Sequence, residues 1–240
     1  IAEPLPISTK DLQFFDIGTM DYAEVSGNEI SQRKALVDAI KRKEKTSKTY
    51  KEAFEYIVEE VAYTWFNRLI AIRFMEVNDY LPSGIRVLSS ENSAKSEPDF
   101  VTTPFDTDLD FTSVEQDKVM QLKDENKLDE LFRRLFIKQC NNLHEILPEL
   151  FEKIDDYTEL LLTISFTDKD GVVYHLVHDI EERDFNVAEE GQVEIIGWLY
   201  QYYISEKHDQ IINIYKGTVK KDDIPAATQL FTTDWVVRYM

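Results

Sequence analysis

The sequence predicts an all-α, mainly helical fold in which shorter helices pack around one long central helix. Only 7 Gly and 7 Pro occur among 240 residues, and 43% of the residues are hydrophobic. Long stretches are rich in Leu, Glu, Lys and Ile, a composition that favours helices over sheets. Between Tyr50 and Val77 apolar residues recur every three or four positions, which is the spacing of a helix face on a core. At 1.5 Å per residue this helix would be about 40 Å long.

The other helices are predicted within residues 29–225, which we interpret as one helical domain after an N-terminal arm at residues 1–28. Asn126 is expected to cap the helix at Lys127–Gln139, because a side-chain oxygen at that position can accept hydrogen bonds from free N–H groups. The predicted segments are Glu29–Lys45, Thr112–Lys123, Lys127–Gln139, Leu143–Ile154, Val193–Ile204 and Glu206–Tyr215.

Residues 79–111 interrupt the helical pattern and predict a long surface loop. Several Pro, Ser and Gly residues mark this stretch, and residues 91–99 have almost no apolar side chain to anchor them. Loops of this length are uncommon in compact domains and are either functional or mobile. We expect this loop to be mobile in part.

Residues 160–180 fit two interpretations. Leu162–Phe166 and Val172–Val177 flank a Thr-Asp-Lys-Asp-Gly turn, which is typical of a β-hairpin. The later apolar residues also fit one face of a helix that begins after Gly171. We favour the helix for the second half, so at most one short β-hairpin is expected in the chain.

Composition and motifs exclude several classes of protein. The single cysteine, Cys140, excludes an internal disulfide framework, and its apolar surroundings favour a buried structural thiol over a nucleophile. No apolar run of about eighteen residues predicts a membrane span, and no basic and apolar leader follows Ile1. The start at a residue other than Met, and the end within a predicted helix, suggest a fragment of a longer protein.

The sequence predicts no catalytic residue and no metal site. His175 and His178 form an H-x-x-H pair, but two imidazoles without a third ligand nearby are weak evidence for zinc. No serine stands in a G-x-S-x-G motif, and the glycines are too scattered for a phosphate-binding loop. A self-contained hydrolase or nucleotidyl-transfer enzyme is therefore not expected.

The net charge of −19 argues against nonspecific affinity for nucleic acid. One region differs, since residues 31–51 carry eight basic residues and only two acidic ones. A charge run is usually a solvated helix face. The alternative is an edge that contacts DNA phosphates, and its candidate residues are Lys41, Arg42, Lys43 and Lys45.

The last fifteen residues, 226–240, predict a loop that turns into a helix at Thr232 or Thr233. Either hydroxyl can cap the helix, and Asp234 lies where the helix dipole favours a carboxylate. The wording Gln-Leu-Phe-Thr-Thr, followed by Val-Val-x-x-Met, resembles motif X of adenine-N6 DNA methyltransferases. The family usually has Phe-Thr-Pro there, so Thr233 departs from the pattern.

Three further blocks resemble the N-terminal region of the PglX-like methyltransferases of bacteriophage-exclusion (BREX-type) systems. One is Val193-Glu-Ile-Ile-Gly-Trp-Leu-Tyr-Gln-Tyr-Tyr203. The second is Asn67-Arg-Leu-Ile-Ala-Ile-Arg-Phe-Met-Glu76, followed by Asp79-Tyr-Leu-Pro82 and Arg86-Val-Leu-Ser-Ser90. The third, Asp222-Asp-Ile-Pro-Ala-Ala-Thr, leads into the motif X wording.

This resemblance implies that the full-length protein is an adenine-specific DNA methyltransferase of the bacterial cytoplasm. It implies S-adenosylmethionine as cofactor, DNA as substrate, proteins of a phage-defence or restriction-modification system as partners, and no membrane. The glycine-rich loop and the N-P-P-[YF] motif of such enzymes are absent here, so this segment is expected to be inactive alone and to brace the catalytic domain. By resemblance, the residues against the methionine end of the cofactor are Leu230, Phe231, Thr232 and Thr233.

The alternative interpretation assigns the chain to a different class of protein. In that interpretation the chain is a non-catalytic, acidic, helical interaction module, and its C-terminal likeness to motif X is only a helix cap.

Overall fold

The computed structural model of the chain describes residues 28–92, 94–148, 150–151, 157–189, 195–199, 236 and 239. The described part is mainly helical and contains no strand, which confirms the predicted all-α fold. Its helices are α1 (Asn28–Glu44), α2 (Tyr50–Val77), α3 (Asp99–Thr102), α4 (Ser113–Asp124), α5 (Leu128–Leu143), α6 (Tyr157–Leu160), α7 (Val172–His178) and α8 (Glu182–Phe185), with a 3-10 turn at Pro104–Asp106.

Helix α2 is the predicted long central helix, with 28 residues. It begins where the Thr49 hydroxyl accepts a hydrogen bond from the Glu52 N–H at 3.1 Å. It ends where Asp79 takes a left-handed conformation with φ of 58°, which lets the Tyr80 N–H donate to the Met75 carbonyl oxygen at 2.8 Å. This six-residue closure is the Schellman motif, and Asp tolerates the left-handed region better than most residues do.

Two groups of buried side chains hold the helices together. The main core surrounds the second half of α2, where side chains from the loop, α4, α5 and α7 meet. The small cluster joins α1 to the first half of α2 and consists of Leu36, Ala39, Ile40, Ala53 and Ile57.

The prediction that residues 79–111 form a surface loop is partly wrong. It contains α3 and the 3-10 turn, and some of its side chains, among them Leu88 and Phe100, are buried in the main core. Residues 91–99 are fixed at both ends, since the Asp99 carboxylate accepts hydrogen bonds from the Ser90 hydroxyl at 2.7 Å and the Glu91 N–H at 2.8 Å. Its partial mobility stays a prediction.

Asn126 does not cap α5. It has a φ of 54° and closes the C-terminus of α4, where the Asn126 N–H donates to the Lys123 oxygen and the Lys127 N–H to the Leu122 oxygen. Helix α5 therefore begins at Leu128, with Lys127 at its N-cap and no side-chain cap. Asn suits both a cap and a left-handed turn, and the short connection between the two helices requires the turn.

The prediction of a separate helix at Leu143–Ile154 is also wrong for those of its residues that the structure describes. Helix α5 already includes Leu143, and residues 144–148 and 150–151 form turns. Pro148 lacks an N–H and disfavours helix at the preceding residue. The His144 ring Nδ1 lies 2.8 Å from the Phe151 carbonyl oxygen and closes the turn.

The helix favoured after Gly171 is confirmed as α7, and the hairpin alternative is wrong for residues 162–177. Val173 and Leu176 bury the apolar face that the sequence pattern indicated. Residues 195–199, within the predicted helix at Val193–Ile204, are helical. The predicted arm at residues 1–28, except Asn28 in α1, and the helix at Glu206–Tyr215 lie outside the described residues.

Candidate functional site

Three of the four candidate DNA-contact residues lie exposed at the C-terminal end of α1. They are Lys41, Arg42 and Lys45, the first two in the last turn of the helix and the third just beyond it. Cations there are favoured by the helix dipole, which offers a structural reason for their presence. Their solvent exposure leaves them equally accessible to phosphate groups.

The fourth candidate, Lys43, is positioned differently. Its ammonium nitrogen lies 3.3 Å from the centroid of the Tyr56 ring on α2, and the side chain is half-buried. A cation over an aromatic face at this distance is an attractive contact that ties the two helices together. Lys43 is thus part of the packing between α1 and α2.

The packing of α1 determines which face is basic. Leu36, Ala39 and Ile40 are buried against α2, so the opposite face must point to solvent. That face carries Lys34, Asp38, Lys41 and Lys45, spaced four, three and four residues apart, and all four are exposed. We call these residues, with Arg42, the basic stripe.

The PglX-like block at residues 67–90 forms a buried ion-pair network. Arg73 Nη1 donates to Glu76 Oε1 at 2.7 Å, and the two side chains are 2% and 0% exposed. The other oxygen of Glu76 accepts hydrogen bonds at 2.8 Å from the N–H groups of Val87 and Leu88. The Ser89 hydroxyl adds a fourth hydrogen bond, donating to Glu76 Oε1 at 3.0 Å. A buried carboxylate thereby joins α2 to the loop that follows it.

A second ion pair extends this network to α8. The Arg86 guanidinium donates through Nη1 and Nη2 to the two oxygens of Glu182, both at 2.8 Å. This two-pronged geometry is the strong form of the arginine–carboxylate contact. The bond from Arg86, despite partial burial, lowers the pKa of Glu182. Arg73 Nη2 lies 3.5 Å from the same carboxylate.

Asn78 fixes the same region through its amide. Its Nδ2 donates to the carbonyl oxygens of Phe74 and Phe185, and its Oδ1 accepts from the Val187 N–H at 2.9 Å. One side chain thus joins the end of α2 to the end of α8. The PglX-like block at residues 67–90 therefore builds a junction between distant segments.

The sequence pattern did not predict this junction, although the block itself resembles the family. The available indication was that Arg68, Arg73 and Glu76 interrupt an otherwise apolar run. Charges in such a run must be paired if the helix is buried on all sides. Their partners in the loop and in α8 could not be identified from that pattern.

Cys140 is fully buried, and burial raises the pKa of its thiol to about 12. A thiol with so high a pKa carries almost no thiolate at neutral pH. The interpretation of Cys140 as a buried structural residue is confirmed.

His175 and His178 have partners on their own helix. His175 Nδ1 lies 2.7 Å from an oxygen of Asp179, and His178 stacks on Tyr174 with ring centroids 4.1 Å apart. No group of three or more potential metal ligands occurs among the described residues. None of the described helices has the length and apolarity to cross a membrane.

The predicted cofactor residues lie outside the described part of the structure. The segment Leu230–Thr233 therefore stays a prediction from the motif X resemblance.

Comparisons with known proteins agree with the resemblance seen in the sequence. The whole chain is 45% identical, over 247 residues, to the adenine-specific methyltransferase PglX of Lacticaseibacillus casei (strain Zhang), and it covers 20% of that protein. It is 42% identical over 205 residues, 85% of the chain and 16% of the relative, to the adenine-specific methyltransferase BrxX of Escherichia coli O9:H4 (strain HS). No protein-family model matches.

These matches confirm the relation of this chain to the PglX-like adenine-specific methyltransferases. The chain spans about a fifth of the length of the curated relatives it matches.

Proposed function

We propose that this chain is a helical segment of an adenine-specific DNA methyltransferase in a bacterial phage-defence or restriction-modification system. The observation that carries the proposal is the 45% identity, over the whole chain, to a protein named adenine-specific methyltransferase PglX. The longer protein would bind S-adenosylmethionine, methylate DNA in the cytoplasm and work with other proteins of its system.

In this proposal the segment braces the catalytic domain and transfers no methyl group by itself. The bracing role is supported by the Arg73–Glu76 junction, because a brace needs elements fixed by buried side chains that hydrogen-bond across them. The inactivity is supported by the sequence, which has neither a glycine-rich loop nor N-P-P-[YF]. Methyl transfer to adenine by the 240-residue chain alone would contradict it.

The second part of the proposal concerns the cofactor. Thr232 and Thr233 begin a predicted helix whose free N–H groups suit the methionine carboxylate of S-adenosylmethionine. Phe231 would supply an apolar wall, with Leu230 beside it in the same segment. This assignment rests on the likeness to motif X.

Calorimetric titration of the full-length protein with S-adenosylmethionine tests the cofactor assignment. We expect Phe231→Ala to weaken binding about tenfold, since a buried aromatic contact is worth one to two kcal/mol or more. Phe105→Ala is the matched control, because Phe105 is an exposed phenylalanine of the described region. Equal affinity of the Phe231 variant and the control would refute the assignment.

The third part of the proposal is that the basic stripe contacts DNA phosphates. Support comes from the exposure of Lys34, Lys41, Arg42 and Lys45 on one face of a protein that is otherwise strongly acidic. Phosphate contacts release counterions, so they contribute affinity without sequence preference. The contact with DNA phosphates would be weakest near Asp38, because its carboxylate is the one negative charge in the stripe.

The test is DNA affinity of the full-length protein over a range of salt concentrations. The variant Lys41→Gln, Arg42→Gln, Lys45→Gln is expected to bind more weakly for every DNA sequence and to have a shallower salt dependence, by about one unit of slope per lost phosphate contact. The control Lys95→Gln, Lys169→Gln, Arg183→Gln removes the same charge from exposed positions elsewhere. Equal behaviour of the two triple variants would leave the stripe a solvated helix face.

A further inference from the structure

A cleft of about 360 Å³ lies along the seam between α4 and α5. The lining residues are four apart on α5 and three or four apart on α4. This spacing places them on one face of each helix, so side chains of both helices line the cleft. Its lining combines an apolar floor, formed by Phe111, Val119 and Leu135, with the cations Lys118, Arg134 and Lys138. None of the residues that line the cleft belongs to the basic stripe.

The two carboxylates at the cleft are occupied within the chain. Glu115 accepts hydrogen bonds from Lys138 Nζ at 2.7 Å and from the Thr112 N–H and hydroxyl at 2.8 Å. The Lys138 bond, with the Thr112 N–H, lowers the pKa of Glu115 to about 2. Glu159 accepts from Gln32 Nε2 at 2.7 Å.

The three cations at the cleft differ in whether a carboxylate of the chain lies beside them. Lys138 is neutralised by Glu115, and Arg134 lies 3.2 Å from Glu130 on its own helix. Lys118 donates to the neutral amide oxygen of Gln121 at 3.2 Å. A carboxylate approaching the apolar floor would therefore meet its best partner in Lys118.

A surface of the opposite character lies next to the cleft. The aliphatic turn, which we define as Glu145, Ile146, Leu147 and Leu150, follows α5 directly. Its three aliphatic side chains are 56%, 40% and 39% exposed, and Glu145 is exposed beside them. Three large aliphatic residues exposed within five positions are uncommon on a surface that must stay in water.

Backbone hydrogen bonds tie the aliphatic turn to the end of α5. The His144 N–H donates to the Cys140 oxygen and the Leu147 N–H to the Leu143 oxygen. The Glu145 N–H donates to the Asn142 oxygen, so Glu145 lies close to Asn141, which lines the cleft. An apolar, acidic patch and an apolar, cationic cleft thus adjoin at one end of α5.

We propose that these two surfaces bind each other between two copies of the chain. The aliphatic turn of one copy occupies the cleft of the other, with Leu147 on the apolar floor and Glu145 facing Lys118. Because both surfaces adjoin on each copy, a two-fold axis makes both contacts at once, as in an isologous dimer. The small contact and the repulsion between two acidic chains make this dimer weak and transient.

Sedimentation analysis of the chain from micromolar to millimolar concentration tests the proposal. The wild type is expected to show a reversible monomer–dimer equilibrium. Lys118→Glu and Glu145→Lys are each expected to weaken dimerisation about tenfold, because each places like charges in both contacts. Leu147→Ser is expected to weaken it as well, through the lost apolar contact.

An equimolar mixture of Lys118→Glu and Glu145→Lys provides the sharpest measurement. In a mixed dimer the two substituted positions face each other with opposite charges, and the two unsubstituted positions do the same, so dimerisation returns to near the wild-type level. Lys95→Glu, which changes an exposed lysine away from the cleft lining, is the charge control, and circular dichroism checks that each variant folds. A monomeric wild type at millimolar concentration, or a mixture no better than its components, would overturn the proposal.

Discussion

The two halves of helix α2 are buried in different ways. In the first half, residues 50–63, only Ala53, Ile57 and Val61 are buried, and the first two face α1 in the small cluster. In the second half, all nine residues from Arg68 to Glu76 are buried. A single helix thus changes from one that packs on one face to one that is surrounded by protein.

The difference in burial changes how much an ion pair contributes to stability. Lys51 and Glu55 in the first half are four residues apart, 3.5 Å from each other and mostly exposed. Arg73 and Glu76 in the second half are three residues apart, 2.7 Å from each other and almost fully buried. Water can replace either partner of the first pair but neither partner of the second, so similar spacing along a helix does not mean equal energetic importance.

The largest expected effect follows from removing the buried carboxylate. Glu76→Gln leaves the buried Arg73 charge with only the more distant Glu182 carboxylate, 3.5 Å away, and weakens the acceptor of the Val87 and Leu88 N–H groups. We expect the free energy of unfolding to fall by about 3–5 kcal/mol. Urea denaturation measures it.

Glu60→Gln in the exposed part of α2 is the matched control for this variant, since it makes the same chemical change on the solvent side. Its expected cost is within about 0.5 kcal/mol. Similar urea midpoints for the Glu76 and Glu60 variants would show that the two halves of α2 do not differ in this way.

The second prediction compares the two clusters of apolar residues. Ile72 in the main core and Ile40 in the small cluster are both 0% exposed. Ile72→Ala is expected to lower the global free energy of unfolding by about 2–5 kcal/mol, because it leaves a cavity where the main core is closely packed. Ile40→Ala removes the same atoms from a cluster that joins only α1, α2 and their neighbours.

Hydrogen exchange separates these outcomes. Ile40→Ala should speed exchange in α1 and the first half of α2 and leave the second half of α2 protected, since small units open locally. Ile72→Ala should speed exchange in both halves. Uniform acceleration by Ile40→Ala would mean that the small cluster and the main core open as one unit.

The third prediction concerns pH at the junction between α2 and α8. The hydrogen bond from Arg86 lowers the folded-state pKa of Glu182 below its usual 4.5. A carboxyl with a lowered folded pKa contributes stability that is fully present above the unfolded pKa and is lost as pH falls through the folded pKa. The cost of Glu182→Gln should therefore be constant above about pH 5 and decline in more acidic solution.

Because the Glu182 side chain is 45% exposed, screening by solvent should keep this cost near 1 kcal/mol above pH 5. Thermal unfolding of wild type and variant across the pH range measures the difference. Glu181→Gln is the control, since Glu181 pairs with the exposed Arg183 on the same surface. A cost of Glu182→Gln that grows as pH falls would show that the Arg86 contact does not favour the ionised carboxylate.

Local patterns explain which parts of the fold could be predicted. Helices α1, α2 and α7 were predicted because their apolar spacing lies within one segment. Asn126 was wrongly assigned because Asn suits both a helix cap and a left-handed turn, and the connection to α5 decides between them. The sequence of residues 79–111 indicates a surface loop because the contacts that bury residues such as Phe100 come from elements far along the chain.

The candidate sites were predictable to different degrees. The charge pattern correctly indicated an exposed basic face on α1, but the packing of Lys43 on Tyr56 depends on a contact between two helices. The junction joins Glu76 to the N–H groups of Val87 and Leu88, and Arg73 to Glu182, which is more than 100 residues away in sequence. The local pattern showed charges within an apolar run but did not identify these partners. The cofactor segment was recognised through family wording alone and stays a prediction.

The smallest expected effect belongs to the exposed ion pair of the first half of α2. Lys51→Gln removes the partner of Glu55, but both side chains are more than 60% exposed, so water and salt already screen the pair. We expect the free energy of unfolding to change by no more than about 0.5 kcal/mol, and the change should vanish at high salt. Urea denaturation of wild type, both single variants and the Lys51→Gln, Glu55→Gln double variant gives the coupling between the two charges. A coupling above about 1 kcal/mol would place this pair with Arg73 and Glu76, and solvent exposure would then not explain the difference between the two halves of the helix.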